Sequence, residues 1–395
     1  MKVTETLKQG VKVWIEEHRE EMLDFYREFV LIEGKHGEVE QMRKNAEFLR
    51  SHFEAAGLET EVIETGEING PVVTAVLNKG VSSREMVFTG HYDTVFESGS
   101  WGRPPFVIEG NKIYGPGVSD MKGGITVAFF TVKALKELGF TECPVRLFFV
   151  GDEEVNHQGG NAIELMKKFT KNILVAFNME SGYDEGKICV GRKGCYEYKL
   201  AVHGVSGHPG HAIDSAKNAI EEISHKIIAL QAVTPKDKNR TYSVSVDTIK
   251  GGTVTNCVPD YCEAMIDVRV STMAALRECE ENMFVACTKT YVDGTNTQLI
   301  CTDAMIPYET TPNVMAAYEA LKKVSEMTDH PIPGSIVVGG SSDAAYIAAQ
   351  GSKVLCQCGV RGGLIHNEGE YAILDSLFER TELFILAAYE HELFK

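Results

Sequence analysis

The chain has 395 residues, 44% hydrophobic, 9% aromatic and 24% charged, a mixture that excludes a disordered, collagenous or coiled-coil polypeptide and is long enough for two domains. Against 39 Lys+Arg stand 56 Asp+Glu, so the formal net charge is -17 and a broad attraction to nucleic acid or anionic lipid is not expected. No apolar run reaches the roughly 18 residues of a membrane span, and the opening MKVTETLKQGVKVW is charged and helical in pattern, so a cytoplasmic protein without a membrane partner is expected.

In chain order, apolar residues at Leu7, Val11, Trp14, Ile15, His18, Met22, Phe25 and Phe29 step by three and four and predict one face of a long first helix. A second helix should end near Gly57. Strand-like runs then alternate with helical ones: PVVTAVLN, EMVFTGH, a helix from about Gly123 closed by Gly139, PVRLFFVGD, a further helix, and ILVAFNME. These runs are apolar throughout, as in a central sheet covered by helices on both faces. From Gly194 to Pro307 the texture changes to long alternating strands (YEYKLAVHG, TYSVSVDTIKGG, YCEAMIDVRV) with helices at Ala216 to Leu230 and Met273 to Cys287. After Pro307 the βα pattern resumes, through Ile336 to Val338 and VLCQCGV to a last helix from Leu374 to Phe394. The expectation is an α/β catalytic domain made of residues 1–193 and 307–395, interrupted by an α+β lid of residues 194–306.

Ten scattered cysteines, among them Cys143, Cys301, Cys356 and Cys358, read as reduced core thiols in a chain without secretory features.

In an open α/β sheet the ligand site lies beyond the carboxyl ends of the strands, so the polar residues directly after each apolar run carry the chemistry. These are His91, Tyr92 and Asp93 after EMVFTG, Asp152, Glu153 and Glu154 after LFFVG, and Glu180 after ILVAFNM; Asp120 sits in the glycine-rich entry to a helix, GPGVSDMKGG. His366, in RGGLIHNEGEY, follows the last strand pattern. Two imidazoles with three carboxylates suit a pair of borderline-soft divalent ions, zinc first. The Asp93 carboxylate is placed to accept the second N–H of His91 and fix its tautomer. Taken singly, each feature has an ordinary reading: a loop His, a solvated helix start, or a phosphate loop for GPGVSDMKGG. That last string lacks both the Gly-Lys-Ser/Thr ending and the G-x-G-x-x-G spacing of nucleotide sites.

The motifs GHYDTV, GPGVSDMKGG, GDEEVNHQGG, NMESG, SGHPG, GGTVTNCVPD followed by DVR, GGSSDAA and GGLIHNEGEY run in the order found in the co-catalytic zinc peptidase and deacylase family. That family includes glutamate carboxypeptidase, acetylornithine deacetylase, succinyl-diaminopimelate desuccinylase, aminoacylase and carnosine dipeptidase. The chain resembles the glutamate carboxypeptidase branch most. The resemblance implies a mixed central sheet between helices with an inserted lid and dimerisation domain, and two zinc ions per subunit, although cobalt and manganese accept the same ligands. It implies Asp120 as the bridging ligand, with His91 and Glu180 on one ion and Glu154 and His366 on the other, and a cis peptide between Asp120 and Met121. Glu153 becomes the general base, Asp93 the partner of His91, and His208 the donor to the oxyanion from a partner subunit's lid, with His211 a nearby competitor. Asn256, Arg269, Gly340 and Ser341 match positions that bind the substrate's carboxylate. Asn156, His157 and Gln158 are more polar than the family pattern and leave a substrate-side or structural role open.

The expected activity is cleavage of the amide bond before a C-terminal amino acid with a free carboxylate, by metal-activated water on a small peptide. N-acyl-amino-acid deacylation is the alternative within the class. From another class, a noncatalytic two-domain protein could bind amino-acid conjugates, but a pure binder needs no base such as Glu153 beside the water.

Overall fold

The structure, a computed structural model, describes residues 3–331 and 333–395. The chain divides into two compact units, one of Met1–Val190, Thr310–Val337 and Ser342–Lys395, the other of Gly191–Glu309 and Val338–Ser341. The crossings lie three residues outside the expected 194 and 306. The short segment Val338–Ser341, read from sequence as part of the first domain, groups with the second unit. There the N–H of Lys193 bonds to the carbonyl of Val338 and Arg192 Nη1 reaches the carbonyl of Ser341 at 2.9 Å.

The first unit opens with the helix Glu5–Leu31, whose first turn is capped by the Thr4 hydroxyl accepting from the N–H of Leu7. Val11, Trp14, Ile15, Met22, Phe25 and Phe29 of the predicted stripe are buried, while Leu7 and His18 are half-buried at its margin. Six strands form the central sheet in the order Glu59–Ile63, Gly70–Leu77, Val145–Gly151, Met86–His91, Val175–Asn178, Val354–Leu355. The first two pairings are antiparallel and the remaining three parallel, so the sheet is mixed. Gly70–Leu77, Met86–His91 and Val175–Asn178 are buried at every position, the consequence of helices covering both faces.

The helix Gly123–Glu137 is buried along nearly its whole length and closes as expected: Gly139 takes φ +74°, and the N–H of Phe140 returns to the carbonyl of Leu135. The last helix stops earlier than expected, at Tyr389, and a short 3-10 turn, His391–Phe394, completes the chain's packing. VLCQCGV contributes only Val354–Leu355 to the sheet. All ten cysteines are thiols; six are buried, but Cys301 is exposed, because its strand is the edge of the second unit's sheet.

That second sheet is antiparallel, in the order Tyr242–Gly251, Tyr261–Val270, Gly194–His203, Asn296–Met305. Burial alternates along Tyr261–Val270, with Cys262, Ala264, Ile266, Val268 and Val270 turned inward. The helices Ala219–Gln231 and Met273–Thr288 pack on this sheet and supply Ile223, Leu230, Leu276 and Met283 to the core. No helix among the described residues is long and apolar enough to cross a membrane.

Candidate metal centre

Three adjacent parallel strands deliver the site. His91 ends Met86–His91, Glu153 and Glu154 follow Val145–Gly151 after one residue, and Glu180 comes two residues after Val175–Asn178. Asp120 lies where the chain turns into the helix Gly123–Glu137, and the Asp120–Met121 peptide is cis. Gly124 lets that helix approach: a Cβ there would stand 1.9 Å from the carbonyl oxygen of Met179, beside Glu180. His366 comes from the loop between Gly362–Gly363 and Tyr371–Ile373, in a left-handed conformation with φ +61°.

These residues form two sets that share Asp120: His91 with Glu180, and Glu154 with His366. His91 Nε2 is 3.3 Å from Asp120 Oδ1 and 3.7 Å from Glu180 Oε1. His366 Nε2 is 3.1 Å from Asp120 Oδ2 and 3.2 Å from Glu154 Oε2. Atoms about 2.0–2.1 Å from a tetrahedral zinc ion stand about 3.3 Å apart, so these spacings fit ligand shells. Asp120 Oδ1 and Glu154 Oε1 are buried and accept no hydrogen bond among the described residues, which a cation would remedy. The residues present therefore fit a pair of divalent ions with Asp120 facing both.

The electrostatics of this cage agree. Burial would lower the proton affinity of His91, but Asp120 and Asp93 outweigh it and hold the imidazole well above its ordinary range. Hydrogen bonds to Asp120 and Glu154 push His366 up to about 11. Burial, with Glu180, Asp343 and Glu154 close by, raises the Glu153 carboxyl well above an ordinary glutamate although His91 opposes this. Glu153 Oε2 lies 3.9 Å from His91 Nε2, inside the same cavity of charge.

Asp93 is wholly buried beside His91 and faces its ring with both the backbone carbonyl and the expected carboxylate. The ring Nδ1 is hydrogen-bonded at 3.1 Å to the backbone carbonyl of Asp93, with the carboxylate oxygen at 3.4 Å. That carboxylate also accepts the N–H groups of Glu153 and Glu154, because the strand ends are side by side. Glu370 has an equivalent part: its Oε1 accepts the N–H of Ser119 at 2.8 Å and of Asp120 at 3.0 Å. Burial and the Asp120 charge push the Glu370 carboxyl up to about 8.

The sequence reading missed Glu370, four residues past His366 in HNEGE, and, although it singled out Asp152 after its strand and left a structural role open for His157, it did not join them with Asp343 into one buried chain of charge. His157 Nδ1 is 2.7 Å from Asp152 Oδ1, and its Nε2 is 2.7 Å from Asp343 Oδ1. The signals were the third acid in GDEE, the unusual NHQ, and the acid in GGSSDAA.

The remaining expected residues lie in the second unit. His208 is exposed in a turn where its Nδ1 accepts the N–H of Gly210 at 3.1 Å, which leaves Nε2 as the protonated, donating nitrogen. His211 faces it with ring centroids 4.9 Å apart. Asn256 and Gly340 are exposed, and Ser341 is half-buried. Arg269 projects from the face of its sheet opposite the buried residues, and Asp267 binds its Nε and Nη2 at 2.7–3.0 Å. The sequence had reserved that guanidinium for substrate; only Nη1 makes no hydrogen bond among the described residues.

The sequence profile of peptidase family M20/M25/M40 matches residues 87–390. Carboxypeptidase G2 of Pseudomonas sp. (strain RS-16) is 26% identical over 368 residues, covering 89% of this chain and 84% of that protein. Succinyl-diaminopimelate desuccinylase of Sulfurovum sp. (strain NBC37-1) is 28% identical over 352 residues, covering 85% and 90%. Among solved structures, aminopeptidase PepT of Bacillus cereus ATCC 10987 shares the fold, with a TM-score of 0.76 over 94% of this chain and 98% of that one at 19% identity. The family match spans most of the chain and includes every residue of the two metal-fitting sets, which sets aside the noncatalytic alternative: this chain belongs to peptidase family M20/M25/M40 and is a metal-dependent hydrolase.

Proposed function

We propose that the protein is a two-zinc amidohydrolase that releases a C-terminal amino acid with a free carboxylate from a small peptide. The reading is carried by Asp120, whose two oxygens face separate histidine–carboxylate sets while Glu153 lies buried beside them. His91 and Glu180 would hold one ion, Glu154 and His366 the other. When bound, such a pair supplies an acidic water and a Lewis-acid partner for the scissile carbonyl.

Glu153 accepts the proton of the attacking water on its carboxylate and returns it to the nitrogen of the departing amine. Burial raises its proton affinity above that of an ordinary glutamate, in the direction useful to a group that both takes and gives a proton. Asp93 keeps His91 oriented and fixes the backbone of both glutamates. His208 donates from Nε2 to the oxygen that gains charge. Asn256, Arg269, Gly340 and Ser341 bind the substrate's carboxylate, Arg269 through Nη1 unless Asp267 gives way.

The likeness to carboxypeptidase G2 favours the exopeptidase, and the likeness to the desuccinylases favours a second reading, deacylation of an N-acyl amino acid. A homodimer formed through the lid is supported by the exposed Ile228, Phe284 and Val285 on its helices and by the open edge of Tyr242–Gly251. Ten thiols suit a reducing, cytoplasmic setting.

The test is amino-acid release by zinc-loaded protein from dipeptides, α- and γ-glutamyl conjugates and N-acyl amino acids, with Glu153→Gln as the blank. Release from peptides establishes the exopeptidase, and release only from acyl amino acids moves the protein to the deacylases. Silence across the panel with two ions bound overturns both readings.

A further inference from the structure

The buried chain Asp152, His157 and Asp343 has no part in the reaction as written above. His157 meets a carboxylate at 2.7 Å from each ring nitrogen, so both nitrogens carry hydrogen and the ring is an imidazolium. The second oxygen of Asp152 is held by Asn69 Nδ2 at 2.8 Å. The backbone N–H of His157 also returns to the carbonyl of Asp152.

The turn between these anchors is unusual. Asn156 and His157 both have left-handed backbones, with φ 53° and 59°, a conformation that non-glycine residues take only when their surroundings impose it. The two bonds of the His157 ring hold the turn in this conformation at one end. On its other side the same turn is tied to Asp93 through the N–H groups of Glu153 and Glu154. Glu153 is thus the residue between two fixed points: Asp93 takes its N–H, and Asp152, its direct neighbour, is locked by His157.

We infer that His157 is a positioning residue: held between Asp152 and Asp343, it fixes the turn that carries Glu153 and so the direction in which the Glu153 carboxyl meets the attacking water. This rests on the assignment of Glu153 as proton acceptor in the proposed function. Asp343 ties the turn to the start of Ser342–Lys395, so a residue 186 positions along the chain from His157 takes part in aiming the base.

The experiment uses the full zinc-loaded chain as wild type, His157→Ala, His157→Gln, Asp343→Asn and the His157→Ala/Asp343→Asn double variant. Proton NMR of the wild type should show two strongly downfield imidazole N–H signals, and Asp343→Asn should lose or shift one of them. With the best substrate of the panel, His157→Ala should lower kcat about 100-fold, the order expected when a catalytic group is misplaced by about 1 Å, with bound zinc unchanged and KM within about twofold. Asp343→Asn keeps an acceptor and should lose less, about tenfold, and the double variant should be no worse than His157→Ala because the partner is already gone. Should His157→Ala not fold, His157→Gln and Asp343→Asn decide by the same measures. Turnover within about threefold of wild type in the folded variants, or losses that only follow bound zinc or melting temperature, overturns the positioning role and leaves the proposed function standing. A wild type that turns over no amide overturns both.

Discussion

The Asp93 carboxylate accepts the backbone N–H of Glu154 at 3.0 Å, and its other oxygen takes that of Glu153 at 3.3 Å. One buried side chain thereby joins the strand end that carries His91 to the turn that carries both glutamates. The arrangement needs two acceptor oxygens, which only an ionised carboxylate offers.

Asp93→Asn tests this. The amide keeps the volume but turns a donor toward one of the two N–H groups and removes the negative charge beside His91. Metal affinity should fall about 10–100-fold, the usual cost of losing a group that orients a ligand. Competition with a chelator measures it, and unchanged affinity would show that Asp93 does not orient the set.

Glu153→Gln should leave both ions bound, since Glu153 belongs to neither ligand set. Turnover should fall by about 10²–10⁴, the range supplied by a positioned acid–base group. Metal analysis beside steady-state kinetics is the check; wild-type turnover would remove Glu153 as the base.

Removing the metal should cost stability, because the cage gathers acidic groups, two of whose buried oxygens accept no hydrogen bond among the described residues. A ligand that binds only the folded state at 100 times its Kd adds about 2.7 kcal/mol. Chelation should therefore lower Tm, and added zinc should restore it. An unchanged Tm despite measured metal release would contradict the fit of this donor set.

Lys226 and Glu222 form a buried pair at 3.0 Å in the second unit. Lys226 also donates to the carbonyls of Cys287 and Lys289, and Glu222 accepts the N–H groups of Tyr291 and Val292. Lys226→Ala leaves the carboxylate buried without its cation and should destabilise the second unit by about 3–5 kcal/mol, read by denaturant unfolding, with zinc binding retained. Burial alone would raise Glu222, but the N–H of Val292 and the Lys226 ammonium outweigh it and hold the carboxyl below its ordinary range. Its contribution is thus complete above the unfolded value near pH 4.3 and is lost as pH falls through the lower folded value. A gain of stability by that unit on acidification through that window would contradict the assignment.

His208→Ala should be inactive by itself. If His208 serves the partner's site, mixing it with Glu153→Gln should restore a fraction of the activity once subunits exchange, because one site in each mixed dimer has both groups intact. No recovery in dimers shown to have exchanged would place His208 on its own subunit's reaction.

Sequence alone marked the residues of the candidate metal sets and the sheet that bears most of them. Strands buried on both faces are mostly apolar, so the polar residues at and just beyond their ends stand out, and His91, Glu153, Glu154 and Glu180 were legible for that reason. The alternation in YCEAMIDVRV revealed the one-sided sheet of the second unit by the same logic of period. Tertiary structure alone decided which partners these residues keep. The bond from Asp93 to the glutamate backbone, the seat of Asp120 on Glu370, and the bridge from Asp152 through His157 to Asp343 join residues 61, 250 and 186 positions apart. Local periodicity carries no trace of such pairings, since a polar residue in a loop reads the same whether it faces water or a buried carboxylate. Arg269 shows the converse: its sequence context promised a guanidinium for substrate, and the pleat of its strand placed Asp267 on the same face, two residues away, to take two of its nitrogens first.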